Sequence, residues 1–259
     1  MTQENQEISP LLEYDNSLPA MLEPSKLIAH IEDMPQAVVF CFFQRPIQEF
    51  CADANMPIIA QLGSEIGKNP VYVLEHQGTR VAVTHPGVGA PLSGSFLEEL
   101  IAFGGRKFIA VGGAGVLDGK IAAGHVIVPT SAIRDEGTSY HYLPPSREVA
   151  PDPAAVQAIV DTLNAHDVPH DLGKTWTTDG VYRETPDKIR RRKAEGALTV
   201  EMEASAFFAI AQFRGVQFGQ MLYGGDDVSG EEWDSRGWSN LHDVREKLFW
   251  LAVEAATRL

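Results

Sequence analysis

Cysteine is scarce in this chain, with two among 259 residues, and neither stands at a metal-ligand or redox spacing. Cys41 and Cys51 form no Cys-x-x-Cys pair, and no His-x-x-His partner accompanies them, as a zinc site of that kind requires. Both lie in or beside an apolar segment. We therefore expect two buried free thiols and no metal site.

Basic residues are also few, with 21 Lys and Arg against 35 Asp and Glu and a formal net charge of −14. Binding to nucleic acid requires clustered cations that neutralise phosphates, so we expect no nucleic-acid partner. No apolar run approaches the ~18 residues that span a bilayer. The first ten residues, MTQENQEISP, lack a basic region followed by a hydrophobic stretch. The sequence predicts a cytoplasmic protein without a membrane partner.

The remaining composition is typical of a soluble globular protein, with 44% hydrophobic and 22% charged residues. Residues 1–24 are polar and interrupted by Pro10, Pro19 and Pro24. We interpret them as an N-terminal arm that becomes ordered only by packing on something else. Residues 25–259 are predicted to form one catalytic domain, since this length allows a substantial core.

Short apolar or β-branched runs alternate with amphipathic stretches along this domain. The predicted strands are 37–43, 71–76, 80–86, 108–113, 125–130 and 218–225. The predicted helices are 46–55, 92–103, 153–165, 187–195, 203–214 and 241–259. Several strand runs are apolar at consecutive positions, as in strands covered on both faces. We predict a three-layer α/β/α fold with a central mixed β-sheet.

Glycine-rich loops follow three of the predicted strands, at 85–91, 112–120 and 224–230. In α/β folds, ligands gather at the carboxyl ends of strands. Glycine lets the backbone approach a ligand and point amide N–H groups at an anion. Each loop alone is as well explained by a tight turn, but we expect the three together to form one pocket.

The segment TVEMEASAFFAIAQFRGV at 199–216 places two carboxylates at the start of an apolar helix. Glu201 and Glu203 could simply complement the positive end of that helix. However, VEMEAS resembles the VEMEA signature of the nucleoside phosphorylase superfamily. The resemblance implies that Met202 packs on a ribose and that Glu203 accepts hydrogen bonds from its hydroxyls. Glu201 then becomes an accessory or structural carboxylate.

The GGDD loop that follows resembles the Ser-Asp pair of purine-cleaving members, with Gly225 in place of serine. In those enzymes the aspartate protonates or hydrogen-bonds the purine N7, so that the base leaves neutral. The resemblance makes Asp226 the candidate general acid. Asp227 is the alternative for that role, and a loop-capping role for both aspartates also remains open.

Two further segments resemble uridine-phosphorylase-like proteins, at 112–142 with its RDEGTS loop and at 177–186, TTDGVYRETP. The second implies an aromatic residue over the base. Tyr182 is the available aromatic residue, although Val181 occupies the usual aromatic position. His141 is a candidate for the pocket wall, and Arg134 for contacts to base or phosphate. Further candidates are Tyr142 and Arg183. The choice between a purine and a pyrimidine stays open, because Asp226 favours the first and the RDEGTS loop the second.

The sequence departs from the family in the residues that grip phosphate. It lacks the GDPxR loop after the first strand, and Ala110 replaces the arginine before the glycine turn. One alternative is that amides near Gly87, Gly112 and Gly113 hold the phosphate, with charge from Arg45 or Arg134. The other is that water attacks instead, activated by a carboxylate such as Glu49.

Of these alternatives we favour a nucleoside phosphorylase that uses inorganic phosphate as co-substrate and needs no cofactor. A hydrolytic nucleosidase is the runner-up, and a nucleoside-binding protein without turnover is the third. The resemblance also implies a homo-oligomer, as a dimer or a hexamer.

Overall fold

The computed structural model describes residues 9–259; the first eight residues of the predicted arm lie outside the described part. A mixed sheet flanked by helices is observed, as predicted, but it contains ten strands and not the six predicted from the sequence. The strands are β1 (Ala37–Cys41), β2 (Ile58–Ser64), β3 (Gly67–His76), β4 (Thr79–Thr84), β5 (Lys107–Val116), β6 (Val126–Asp135), β7 (Glu148–Val149), β8 (His170–Thr178), β9 (Ala197–Glu201) and β10 (Gln217–Asp227).

Seven α-helices accompany these strands in the described residues: α1 (Pro24–Leu27), α2 (Gln44–Ile47), α3 (Ala90–Phe103), α4 (Pro153–Ala165), α5 (Pro186–Ala194), α6 (Ala204–Arg214) and α7 (His242–Arg258). A π-helical turn, Gln48–Ala52, continues α2, so the helix predicted at 46–55 is shorter and irregular. The other five predicted helices are observed within one residue of their expected bounds, except that α3 begins two residues earlier than predicted.

The sheet runs in the order β10-β6-β8-β9-β5-β1-β4-β3-β2, and β10 also pairs with β5. Strands β5, β10, β6, β8 and β9 therefore close into a ring, from which β1, β4, β3 and β2 extend. Neighbours β4, β1, β5 and β10 are parallel. Their carboxyl ends meet at one edge, and the candidate site lies there.

Two apolar layers cover the sheet because consecutive buried residues of its central strands face opposite sides. One layer joins α4 and α7 to the sheet. The other joins α3 and α6, and its centre is an aromatic cluster of Phe40, Phe207 and Phe218. The rings of Phe207 and Phe218 stack with centroids 4.7 Å apart. This packing fixes the start of α6 relative to β10.

The described part of the arm contacts the domain at two points. Leu11 lies beside Gly137. Near the end of the arm, Glu23 is buried and accepts a hydrogen bond from Nη1 of Arg214 at 2.8 Å. Residues 9–24 are otherwise mainly exposed. In residues 9–259, no helix combines the length and apolar character needed to cross a membrane.

Candidate active site

A cavity of about 660 Å³ opens at the carboxyl ends of the parallel strands, and all three glycine-rich loops contribute to its wall. His85 and Val88 come from the first loop, Gly112 to Gly115 from the second, and Gly225 and Asp226 from the third. Its volume lies within the ~300–1,000 Å³ range of small-molecule sites. The loops therefore converge as their positions after the strands predict.

Glycines in β5 make room for side chains from neighbouring strands. A Cβ on Gly113 would lie 3.1 Å from the hydroxyl of Tyr223, and one on Gly112 would lie 3.1 Å from the ring of Phe42. A Cβ on Gly115 would lie 3.0 Å from Val200, with the carboxylate of Asp226 at 3.6 Å. At these glycines the cavity wall consists of backbone, and the side chains of the neighbouring strands pack directly against it.

Glu203 links the start of α6 to the loop after β4. One carboxylate oxygen accepts a hydrogen bond from the N–H of Gly89 at 2.5 Å, and the side chain is buried. Glu203 and its neighbour Met202 both belong to the cavity wall. The carboxylate of Glu203 therefore lies where it can accept hydrogen bonds from the hydroxyl groups of a ligand.

Glu201 caps helix α6. Its Oε2 accepts from the N–H groups of Glu203 and Ala204 at 2.7 and 2.6 Å. Its Oε1 accepts from the hydroxyl of Thr177 at 2.6 Å. Each oxygen already has a protein donor, so Glu201 orients the helix start and the neighbouring carboxylate.

Burial raises the pKa of both Glu201 and Glu203, and for Glu203 the adjacent charge of Glu201 raises it further. Two like charges this close resist simultaneous ionisation. The pair therefore retains a proton at pH values where ordinary carboxyl groups have lost theirs. A ligand that donates hydrogen bonds to Glu203 favours its charged form.

Asp226 also lines the cavity, close to Glu184. Its Oδ2 accepts from the indole N–H of Trp233 at 2.7 Å. Burial, followed by the charge of Asp226, raises the pKa of Glu184 to about 7. Near neutral pH this carboxyl is therefore protonated in a large fraction of molecules, so Glu184 is able to donate a proton to a ligand.

Asp227, the sequence alternative to Asp226, points elsewhere. It forms an ion pair with Arg236 and accepts from the N–H of Ser229 at 2.8 Å. These contacts lower its pKa although burial opposes the effect. Asp227 is absent from the cavity wall and holds the following loop.

Two arginines line the cavity, and their environments differ. Arg45 forms an ion pair with Glu49 at 2.6 Å and its side chain is 57% exposed. Arg245 donates from Nε to the hydroxyl of Tyr223 at 2.9 Å. Ala110, at the family's arginine position, is fully buried in the apolar layer under α3 and α6. No cation approaches the site from that position.

The sequence pattern of the phosphorylase superfamily matches residues 36–248 of this chain. The chain belongs to the phosphorylase superfamily. It is 32% identical over 214 residues to a uridine phosphorylase of Treponema pallidum, covering 75% of this chain and 80% of that protein. It is 28% identical over 190 residues to a guanosine phosphorylase of Halorubrum lacusprofundi, covering 72% and 75% respectively.

The superfamily fold is also found in a crystal structure of an AMP nucleosidase from Bacteroides thetaiotaomicron. The two structures superpose with a TM-score of 0.70 at 20% identity, over 87% of this chain and 88% of the other. At this identity the likeness concerns the fold. The predicted nucleoside-phosphorylase-like α/β architecture is thereby confirmed.

Among the superfamily residues expected at the base, Tyr182 lies outside the cavity with 95% of its surface exposed. Val181 lines the cavity instead, at the position where the resemblance expects an aromatic ring. The turn Val181–Arg183 is a short 3-10 helix, and its tight geometry directs successive side chains apart. Within this chain the cavity wall therefore holds Val181 and not the predicted Tyr182.

Arg134 does not reach the cavity. It is buried and donates to Ser139, Leu143, Pro144 and Ser146. This guanidinium holds the loop after β6, and Arg134 is not part of the cavity wall in which its contact to base or phosphate was predicted. Arg183 also lies outside the cavity wall and is exposed.

His141 and Tyr142 line a separate groove with Pro91 and Asp179. Tyr142 packs edge-on against Phe213. Within this chain, neither side chain faces the cavity that contains Glu203 and Asp226.

Gly87 lies beside the cavity and not in its wall. Its φ of 79° is the left-handed region, and its N–H lies 3.0 Å from Nδ1 of His85. That amide is therefore engaged by the protein, whereas Gly112 and Gly113 remain in the wall. Burial lowers the pKa of His85, so the imidazole is neutral near pH 7.

Sequence reasoning missed several wall residues, among them Glu184, Gln220, Trp238 and Arg245. Gln220 is 1% exposed, and its side-chain oxygen lacks a hydrogen-bond partner among the described residues. It pairs with Ala110 in the β10–β5 register. Glu184 had a local signal, since it belongs to the 177–186 segment already singled out. Trp238 and Arg245 come from segments without any motif.

Proposed function

We propose that this chain is a nucleoside phosphorylase that cleaves an N-glycosidic bond with phosphate to give free base and ribose 1-phosphate. Membership of the phosphorylase superfamily supports the reaction class. Relatives named uridine phosphorylase and guanosine phosphorylase match most of the chain. The observation that carries the proposal is that Glu203, Met202 and Asp226 line one cavity.

In the proposed reaction, Met202 packs on the ribose and Glu203 accepts hydrogen bonds from its hydroxyls. As the bond to the base breaks, positive charge develops on the sugar and negative charge on the base. The carboxylate of Glu203 stabilises the first. The acid pair of Asp226 and Glu184 supplies a proton or hydrogen bond to the second, so that the base leaves neutral.

Phosphate is the proposed nucleophile, and no metal or organic cofactor takes part. The backbone at Gly112 and Gly113 is the part of the predicted anion site that lies in the cavity wall. Arg45 also lines the wall, but its ion pair with Glu49 neutralises much of its charge. Among residues 9–259 there is no cluster of His, Cys, Asp and Glu that could hold a metal ion.

A nucleosidase is the second candidate, and the buried Ala110 at the family's arginine position favours it. Hydrolysis needs a base that activates water. Glu49 is a poor candidate, because it lies outside the cavity wall and is paired with Arg45. The unpartnered oxygen of Gln220 offers an acceptor for a water in the wall.

The test is incubation of the purified protein with purine and pyrimidine nucleosides, with and without phosphate, followed by chromatography of base and sugar products. Phosphate-dependent release with ribose 1-phosphate supports the phosphorylase. Phosphate-independent release of free ribose supports the nucleosidase. Saturable nucleoside binding without any product establishes a binding protein and refutes both.

We also propose that the protein acts in the cytoplasm as a homo-oligomer, a dimer or a hexamer. Val88 at the cavity wall is 63% exposed and Ile66 on the nearby β2–β3 hairpin is 78% exposed. A second subunit placed on them would bury both. Light scattering that finds only monomer at micromolar concentration contradicts the oligomer.

A further inference from the structure

Arg245, in the first turn of α7, presents a fixed guanidinium to the cavity. Its Nε donates to the hydroxyl of Tyr223 at 2.9 Å, and its Nη2 donates to the carbonyl of Trp238 at 3.2 Å. It lies over the rings of Phe43, Trp238 and Tyr223, at 5.5, 5.2 and 5.8 Å from their centroids. Two hydrogen bonds and three aromatic neighbours hold the side chain in one orientation.

This guanidinium has no carboxylate partner within 4.0 Å among residues 9–259, in a chain where acids outnumber bases by 35 to 21. Arg45, the other guanidinium in the wall, pairs with Glu49 at 2.6 Å. A guanidinium carries five N–H donors, and the two contacts of Arg245 use two of them. The remaining donors and the uncompensated charge suit an oxyanion.

The guanidinium is also close to the glycine turn of β5. The hydroxyl of Tyr223 lies 3.1 Å from where a Cβ of Gly113 would be, and the same hydroxyl accepts from Arg245. One hydroxyl group thus separates the cation from the backbone at which an anion is expected. The absence of a side chain on Gly113 is what admits Tyr223 to this place.

We propose that Arg245, positioned by Tyr223, binds a phosphate group inside the cavity. It supplies from α7 the cation that Ala110 cannot supply from β5. The inference rests on the proposed function for its place in the reaction. The phosphate group has two possible sources: inorganic phosphate acting as nucleophile, or the 5′-phosphate of a nucleotide that carries the scissile bond.

The test compares Arg245→Met with Lys247→Met, which removes one positive charge from an exposed position of the same helix. Calorimetry measures binding of inorganic phosphate and of a nucleoside 5′-monophosphate, and base release is measured over a range of each. We expect Arg245→Met to raise the Kd and KM of one of them by about ten- to hundredfold, as expected for lost charged hydrogen bonds. The KM of the unphosphorylated nucleoside should stay within about twofold.

An effect on inorganic phosphate assigns the nucleophile site, and an effect on the monophosphate alone assigns a nucleotide site. Equal behaviour of the two variants in every measurement overturns the proposal. Arg245→Lys keeps the charge without the planar fork and should recover part of the affinity, which separates anion binding from loss of packing. If no base is released from any substrate, the proposed function fails, while calorimetry with phosphate still decides the role of Arg245.

Discussion

Replacing Glu203 with glutamine gives the sharpest test of the sugar site. Glutamine is close to glutamate in shape. Its side-chain oxygen can still accept the hydrogen bond from the N–H of Gly89, which in the wild-type chain has a length of 2.5 Å. The substitution removes the negative charge of the group that is proposed to accept hydrogen bonds from two ribose hydroxyls. Two charge-assisted hydrogen bonds at roughly 1.5–3 kcal/mol each give a loss of about 3–6 kcal/mol. The value of kcat/KM should fall by about 10² to 10⁴.

The substrate provides the control for this change. A 2′,3′-dideoxynucleoside lacks both hydroxyls, so Glu203→Gln should lower its kcat/KM by less than about tenfold. The measurement is the steady-state rate of base release from each of the two substrates, for both wild type and variant. These four values form a thermodynamic cycle that isolates the interaction between Glu203 and the hydroxyls. An equal loss on both substrates refutes the assignment of Glu203 to the hydroxyls.

The same variant should not lose stability. Because the pKa of Glu203 is raised in the folded chain, ionisation costs folding free energy as the pH rises from its unfolded value of 4.5 through the folded one. Glutamine removes that cost, so the unfolding midpoint at pH 8 should equal or exceed that of wild type. A lower midpoint shows that the carboxylate stabilises the empty site.

Three further predictions follow from the site and the core. Asp226→Asn should reduce cleavage of purine nucleosides more than that of pyrimidine nucleosides, as only purines present N7; equal losses in base release contradict the N7 role. The acidic limb of kcat/KM for a ribonucleoside should lie above pH 4.5, since burial raises the pKa of Glu203; a limb at or below that pH in a pH–rate series argues against an ionised Glu203. Arg134→Met should lower thermal stability and leave KM within about twofold, since its contacts are to the loop after β6; a large rise in KM with unchanged unfolding would place it in the site.

The elements foreseen from sequence are those whose signals are local. Helix α4 has the expected bounds because Asp152 caps it and Pro153 begins it. Strand β8 was missed, since HDLGKTWTT alternates irregularly and contains a glycine and a lysine. Its place is decided by pairing with β6 and β9, far away in sequence. Closure of the ring of strands depends on such long-range pairs. Long-range pairing produces no periodic pattern in the sequence from which it could be predicted.

The residues of the candidate site also fall into two groups, those with a local sequence signal and those placed by long-range packing. Glu203 and Asp226 belong to short motifs with their own chemistry, and the fold brings them into one cavity. Arg245 lies in HDVREKLFW, where a charged residue resembles any solvent-facing position of an amphipathic helix. Only the packing of α7 against Phe43 and Tyr223 turns it inward. Local backbone geometry likewise decides which side chain of the 3-10 turn faces the cavity, Val181 or Tyr182.

The loop at 228–241 contacts the cavity wall at two places. Its Trp233 donates to Asp226, and the carbonyl of its Trp238 accepts from Tyr223 and Arg245. One stretch of chain thus forms hydrogen bonds to the candidate acid and to the guanidinium of the same cavity. A ligand that pulls on either of these contacts changes the free energy of the other, and thermodynamic reciprocity requires the same coupling in reverse. The two proposed ligands of this cavity, nucleoside and phosphate, should therefore influence each other's binding. The dissociation constant of each should depend on the concentration of the other.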